Sequence, residues 1–265
     1  MDAEAEYNNR ARVPESGAII AGWARDAAAF RASWVEKELG VAYGAGERER
    51  LDLFRPGPGG DWPVAMFIHG GYWQALDRSF ASHCARGLLA RGVAVAVPSY
   101  DLCPGVALRA IVEQMREAVA LLHRRGAGRV MAMGHSAGGH LAAMLMATDW
   151  VKRGLPAGLV SRGMAISGVF ELWPLIGTSV GAGLKLDEAE ARALSPALLA
   201  RPEGAEIHAV VGGAESGEFR RQTRDFAAHW NGTAAELAGL DHFTVLEPLA
   251  DPGSALVERA AQLAR

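Results

Sequence analysis

A serine set between glycines, Gly134-His135-Ser136-Ala137-Gly138, follows the apolar run Val130–Met133 and precedes a helical pattern. A strand that turns sharply into a helix at a serine exposes Oγ at the carboxyl edge of a sheet, where open α/β sheets bind ligands. Small flanking residues suit such a turn because it brings neighbouring backbone close. A glycine-rich helix entry capped by serine is the plainer alternative; the strand before and the helix after favour the nucleophile elbow. A second glycine-rich segment, His69-Gly70-Gly71-Tyr72-Trp73, ends the run Val64–Ile68 some 65 residues upstream. Acyl transfer develops negative charge on a carbonyl oxygen, and each preorganised N–H aimed at it is worth about 3–4 kcal/mol. The N–H groups of Gly71, Tyr72 and Ala137 are the expected donors.

Such a nucleophile needs a base and a group to orient it. Of eight histidines, four follow Ser136: His140 one helical turn past it, where packing is the natural role, His208 within a strand pattern, His229 late in a helix, and His242 in the loop Gly239–Phe243. In the order serine, acid, histidine, the base belongs after the last strand, so His242 is the candidate. The acid is expected just past Ile207–Val211, where Glu215 and, second to it, Glu218 stand. Either carboxylate type orients a histidine and stabilises its imidazolium. Asp241 adjoins His242 too closely in sequence to accept its ring N–H.

The elements that position these groups alternate. Ile19, Trp23, Ala27, Phe30 and Trp34 share one face of a helix expected over 17–39. Strands are expected at Leu51–Phe54, Val64–Ile68, Val93–Val97, Val130–Met133, Met164–Ser167, Ile207–Val211 and Ala234–Leu237, the first two divided by the turn-rich 55–61. Helices are expected over 106–125, 137–148, 217–230 and 254–264. Short apolar strands alternating with helices indicate an α/β fold, a mostly parallel central sheet flanked by helices. Residues 170–200 break the rhythm and read as a small insertion over the sheet's carboxyl edge. One domain over 1–265 is expected, with 1–45 as a helical segment packed on it.

The bulk properties narrow the partners. The chain has 265 residues, half of them hydrophobic, and a net charge of −3. It has no basic field to attract nucleic acid or an anionic membrane. No stretch approaches the ~20 apolar residues that span a bilayer. The acidic start Asp2–Glu6 is unlike a signal peptide, and Cys84 and Cys103 lack metal-ligand spacing. A cytoplasmic monomer or homodimer acting on a small molecule is the expectation, with neither metal nor organic cofactor.

The segments His69–Trp73, Gly134–His140 and Thr148–Trp150 together resemble the kynurenine formamidase (arylformamidase) family and its esterase-like relatives within the α/β-hydrolase superfamily. The likeness extends to Glu6–Arg12, Ser167–Leu172, Leu194–Pro196 and Glu218–Gln222, and so covers most of the chain. It implies hydrolysis of N-formylkynurenine to formate and kynurenine without a cofactor, with Ser136 as nucleophile, Glu215 as acid and His242 as base. A glutamate stands at 215 where aspartate often serves in this family. Tyr72 and Trp73, with the 170–185 segment, would offer aromatic surface to the leaving group. Two other readings stand beside it: a carboxylesterase or amidase for another small acyl compound, and a silent hydrolase fold that only binds a ligand.

Overall fold

Unbroken runs of small and β-branched apolar residues become the interior of a sheet. The computed structural model describes residues 2–265. The strands are β1 (Lys37–Ala42), β2 (Arg50–Phe54), β3 (Val64–Ile68), β4 (Ala94–Pro98), β5 (Val130–His135), β6 (Arg162–Ile166), β7 (Glu206–Gly212) and β8 (Thr233–Leu237). Among the described residues these eight form one sheet in the order β1-β2-β4-β3-β5-β6-β7-β8. β2 runs antiparallel to both its neighbours, and the pairings from β4 to β8 are parallel.

The helices are α1 (Ala3–Tyr7), α2 (Asn9–Arg12), α3 (Ser16–Ser33), α4 (Arg86–Ala90), α5 (Leu108–Arg124), α6 (Ala137–Met146), α7 (Ser179–Ala182), α8 (Glu188–Ala193), α9 (Gly217–His229) and α10 (Ala255–Ala264). They cover the sheet on both faces. Met66, Ile68 and Ala132 pack with α5, α6 and α9, whereas Ala65, Phe67, Met131 and Met133 pack with α3, α4 and α10. Successive side chains on a strand point to opposite faces, so a strand buried on both sides carries no polar alternation. That is the fold of the α/β-hydrolases expected from the sequence.

Two expectations are corrected at the N-terminal end. The helix expected over 17–39 stops at Ser33, because Trp34 turns to extended backbone at ψ 130°. Trp23, Ala27 and Phe30 are buried as their spacing implies. The chain then pairs with β2 as β1, so the 1–45 segment is not wholly helical but supplies the edge strand. β1 has no period-2 burial and a register shift between Glu38 and Val41. Its pairing is imposed by β2, with Gly40 N donating to the buried Asp52 at 2.8 Å. The 170–200 segment holds two short helices, α7 and α8, and Leu172, Leu175, Leu184 and Leu194 tie it to the core. No helix of the described residues is long and apolar enough to cross a membrane.

Candidate active site

β5 passes through Gly134 and His135 into Ser136, whose φ of 57° and ψ of −119° place a non-glycine residue in a strained region. Such a conformation persists where its surroundings over-determine it, and it is typical of functional turns. Here the clamps are Ser136 N donating to Ile166 O (2.8 Å) and Ser136 O accepting from His140 N (3.1 Å). Gly138 must be glycine: a Cβ there would lie 2.0 Å from Ile68 O and 2.7 Å from His69 O. That close approach seats the first turn of α6 directly on the end of β3.

The segment after β3 then folds back on itself. Gly71 has φ 106°, and its carbonyl accepts from Gln74 N (2.9 Å) and Ala75 N (3.1 Å). Tyr72 and Trp73 follow at φ 50° and 56°. The N–H groups of Gly71, Tyr72 and Ala137 meet no backbone acceptor among the described residues. His69 stacks on Tyr100 with ring centroids 4.2 Å apart, and its Nδ1 donates to Gly70 O at 2.7 Å. Burial lowers the pKa of His69 to about 4, so the ring is a neutral prop under the loop.

The carboxyl ends of three further strands meet around one carboxylate. Glu215, in the turn between β7 and α9, lies 2.7 Å through Oε2 from His242 Nδ1, in the loop after β8. Its Oε1 accepts from Ser167 Oγ (2.5 Å), past the end of β6, and from Gly212 N (2.7 Å). Both side chains are buried. The imidazole sits edge-on to Phe219, ring centroids 4.8 Å apart. His135, driven well below its usual pKa by burial, donates from Nε2 to His242 O at 2.7 Å and fixes that loop from beneath. No hydrogen bond among the described residues joins Ser136 Oγ to the imidazole. The two groups line the same cavity, and such bonds are often long until substrate is bound.

Of the two glutamates left open by the sequence, only Glu215 meets His242. Glu218 accepts instead from Tyr7 Oη (2.9 Å), Gln222 Nε2 (2.9 Å) and Arg221 (2.8 Å). Burial works to raise its pKa, but the hydrogen bonds from Arg221, Gln222 and Tyr7 outweigh it and hold the carboxyl below its usual range. Asp241 accepts from Phe243 N (2.7 Å) and Thr244 N (3.0 Å), closing the loop's own turn.

The cavity has a volume of about 260 Å³. Ser136, His242, Gly70, Gly71 and Tyr72 form its floor and one wall, and Ile20, Trp23 and Phe243 make an apolar side. Val180 of α7 and Asn8, Asn9 and Arg10 at α2 complete it. Arg10 is the one arginine, lysine or carboxylate among the described residues that line it. Trp73 is not part of it, contrary to expectation. It is fully buried, its edge over the His140 ring at 4.9 Å. The consecutive left-handed residues at 72 and 73 turn the second aromatic into the core and leave the first at the wall. Ser167, His135 and the Asn8–Arg10 stretch escaped the motif reading. Each lies in or beside a segment singled out for another reason, but nothing in its spacing reveals its contacts.

Residues 51–156 match the BD-FAE family. The chain is 32% identical over 227 residues to the kynurenine formamidase of Salmo salar, covering 80% of this chain and 77% of that one. It is 28% identical over 228 residues to that of Drosophila melanogaster, covering 79% and 76%. Among solved structures, a protein from Silicibacter sp. tm1040 proposed to be a thioesterase superposes with a TM-score of 0.90 at 37% identity, over 97% of this chain and 98% of that one. An esterase from Pyrobaculum calidifontis shares the fold, with a TM-score of 0.76 at 19% identity over 94% of this chain and 90% of that one.

Proposed function

Because the chain belongs to the kynurenine formamidase family of α/β-hydrolases, and so is a hydrolase of a small amide or ester, we propose that it cleaves N-formylkynurenine to kynurenine and formate. The observation that carries this reading is the Glu215–His242 pair opening on the same small cavity as Ser136. Ser136 Oγ attacks the formyl carbon while His242 Nε2 takes its proton, and Glu215 holds the other ring nitrogen protonated. The oxyanion forms against the N–H groups of Gly71, Tyr72 and Ala137, aided by the positive end of α6. His242 then protonates the departing arylamine. Water, activated by the same imidazole, releases formate from the acyl-enzyme.

The cavity volume of about 260 Å³ is near the lower end of small-molecule sites, ~300–1,000 Å³, which suits a one-ring substrate. Arg10 at its edge, which forms no ion pair among the described residues, suits the carboxylate of an amino-acid leaving group. The likeness to the Silicibacter protein, at 37% identity, favours a second reading: hydrolysis of a small ester or thioester by the same residues.

A single set of measurements separates the two: kcat/KM for N-formyl-L-kynurenine, formanilide, and p-nitrophenyl acetate and butyrate. An activated ester is intrinsically far easier to cleave than an anilide, so a formamidase must spend binding interactions with the kynurenine moiety on the harder bond. N-formylkynurenine should match or exceed the ester and beat formanilide by about 10²-fold, worth about 2.7 kcal/mol. Undetectable turnover of N-formylkynurenine beside brisk ester hydrolysis would leave the second reading. In the same assays Ser136→Ala should abolish turnover and labelling by a fluorophosphonate. Unchanged turnover in a folded Ser136→Ala protein would remove both readings.

A further inference from the structure

The Tyr72 side chain does not end free in the cavity. Its hydroxyl donates to Tyr7 O at 2.6 Å and accepts from Asn9 Nδ2 at 3.3 Å. Tyr7, at the end of α1, is 1% exposed. Its own hydroxyl donates to Glu218 Oε1 (2.9 Å) and accepts from Gln222 Nε2 (2.5 Å), and its ring packs edge-on against Phe219. Those three partners belong to the first turns of α9, immediately beyond Glu215, and Phe219 also touches the His242 ring. One N-terminal residue therefore bridges the loop that bears the Gly71 and Tyr72 N–H groups and the helix that backs the Glu215–His242 pair. Further ties anchor the same segment. Glu218 N donates to Glu6 Oε2 (2.8 Å), and Ser179 N and Oγ donate to Glu4 (2.8 and 2.6 Å).

The bridge answers a question posed by the loop's backbone. Tyr72 carries a Cβ at φ 50°, a conformation that relaxes unless something outside the loop holds it. Trp73 is held by the core around it. For Tyr72 the remote hold is the hydroxyl contact to Tyr7, made 65 residues away in sequence.

We propose that Tyr72 is a positioning residue, whose hydroxyl, held by the N-terminal segment through Tyr7, keeps the oxyanion-binding N–H groups in their left-handed turn. This rests on the reading of Gly71, Tyr72 and Ala137 as oxyanion donors. It replaces the expectation that the phenol contacts the leaving group. An oxyanion exists only in the transition state and tetrahedral intermediate, so a misaimed hole lowers kcat and spares KM.

The test is Tyr72→Phe, which keeps the ring and removes only the hydroxyl. Losing one donor outright costs about 10²–10³ in kcat, so a misaimed donor should cost roughly 10–100-fold. The loss should be equal for N-formylkynurenine and p-nitrophenyl acetate, with KM unchanged within about twofold. A trifluoromethyl ketone, which mimics the tetrahedral intermediate, should bind more weakly by the same factor, whereas a substrate-like anilide should bind as before. Tyr7→Ala, which frees the N-terminal segment, should give the same kcat-only loss with p-nitrophenyl acetate, a substrate that does not engage Arg10. The double variant should be little worse than the poorer single one, because both break one chain of contacts. Wild-type kcat in Tyr72→Phe, a loss confined to KM for one substrate, or additive losses in the double variant overturns the proposal. Each of those outcomes leaves the hydrolase reading intact, which stands or falls on Ser136→Ala.

Discussion

Replacing Glu215 with glutamine keeps the shape of the side chain and reverses what it tells the imidazole. The two carboxylate oxygens are not equivalent. Oε1 faces the Gly212 N–H at 2.7 Å and the Ser167 hydroxyl at 2.5 Å, while Oε2 faces His242 Nδ1 at 2.7 Å. A hydroxyl can swivel, but a backbone N–H cannot, so the glutamine oxygen must take the Oε1 side. Its NH₂ group is then left 2.7 Å from Nδ1, where two N–H donors cannot face each other. The ring responds by moving its proton to Nε2, and an Nε2–H cannot accept the Ser136 proton. In a serine protease the corresponding change costs about 10⁴ in kcat, about 5.4 kcal/mol at 1.36 kcal/mol per tenfold. We expect ~10³–10⁴ here by the same tautomer argument. The assay is p-nitrophenyl acetate turnover near pH 7.5, with proton NMR to follow the downfield Nδ1–H signal, which should vanish. Glu218→Gln, whose carboxylate serves Tyr7, Arg221 and Gln222, should cost far less. Turnover within tenfold of wild type for Glu215→Gln, or the larger loss at Glu218, would refute the reasoning.

Gly138→Ala forces a Cβ to within 2.0 Å of Ile68 O, so α6 must part from β3. Overpacking of this kind costs about 1–3 kcal/mol, read as a lower urea midpoint. Because the glycine loop continues β3, kcat should also drop by about 10²; an unaltered kcat counts against that loop's role. Burial holds the pKa of His69 and of His140 at about 4 and that of His135 well below its usual value. The unfolded chain therefore binds protons that the folded one refuses. Stability present above about pH 6.5 is lost as pH falls toward 4, by up to about 1.4 kcal/mol per pH unit for each ring. Urea midpoints at pH 7.5, 6 and 5 should decline steeply, and a flat profile contradicts the neutral burial. Arg10→Ala should raise KM for N-formylkynurenine about tenfold, the worth of a partly exposed charge-assisted contact. It should leave p-nitrophenyl acetate untouched, and an equal effect on both substrates dissociates Arg10 from the leaving group.

The sequence alone determined what depends on contiguous residues. Apolar runs marked seven of the eight strands; for β2 to β7 the reason is burial on both faces, which needs no alternation, whereas β8 is a largely exposed edge strand. Strand, glycine turn and helix around Ser136 are local geometry, as is the glycine loop after β3, and chain order with element context singled out His242 from the four histidines after Ser136. Tertiary structure decided everything that joins distant segments. Glu215 and Glu218 stand three residues apart in similar company. Only the path of the β7–α9 turn against a loop 27 residues later gives Glu215 to His242 and Glu218 to Tyr7. Ser167 reaches the carboxylate from another strand, and β1 exists because β2 pairs with it. Tyr72 and Trp73 are adjacent aromatics whose fates diverge because two left-handed residues in succession redirect the chain. The Asn8–Arg10 stretch enters the cavity through contacts spanning up to 215 residues, from Tyr7 to Gln222. Hydropathy and spacing record which face a residue shows to its own element. Which remote group waits there is settled by the packing of elements on one another.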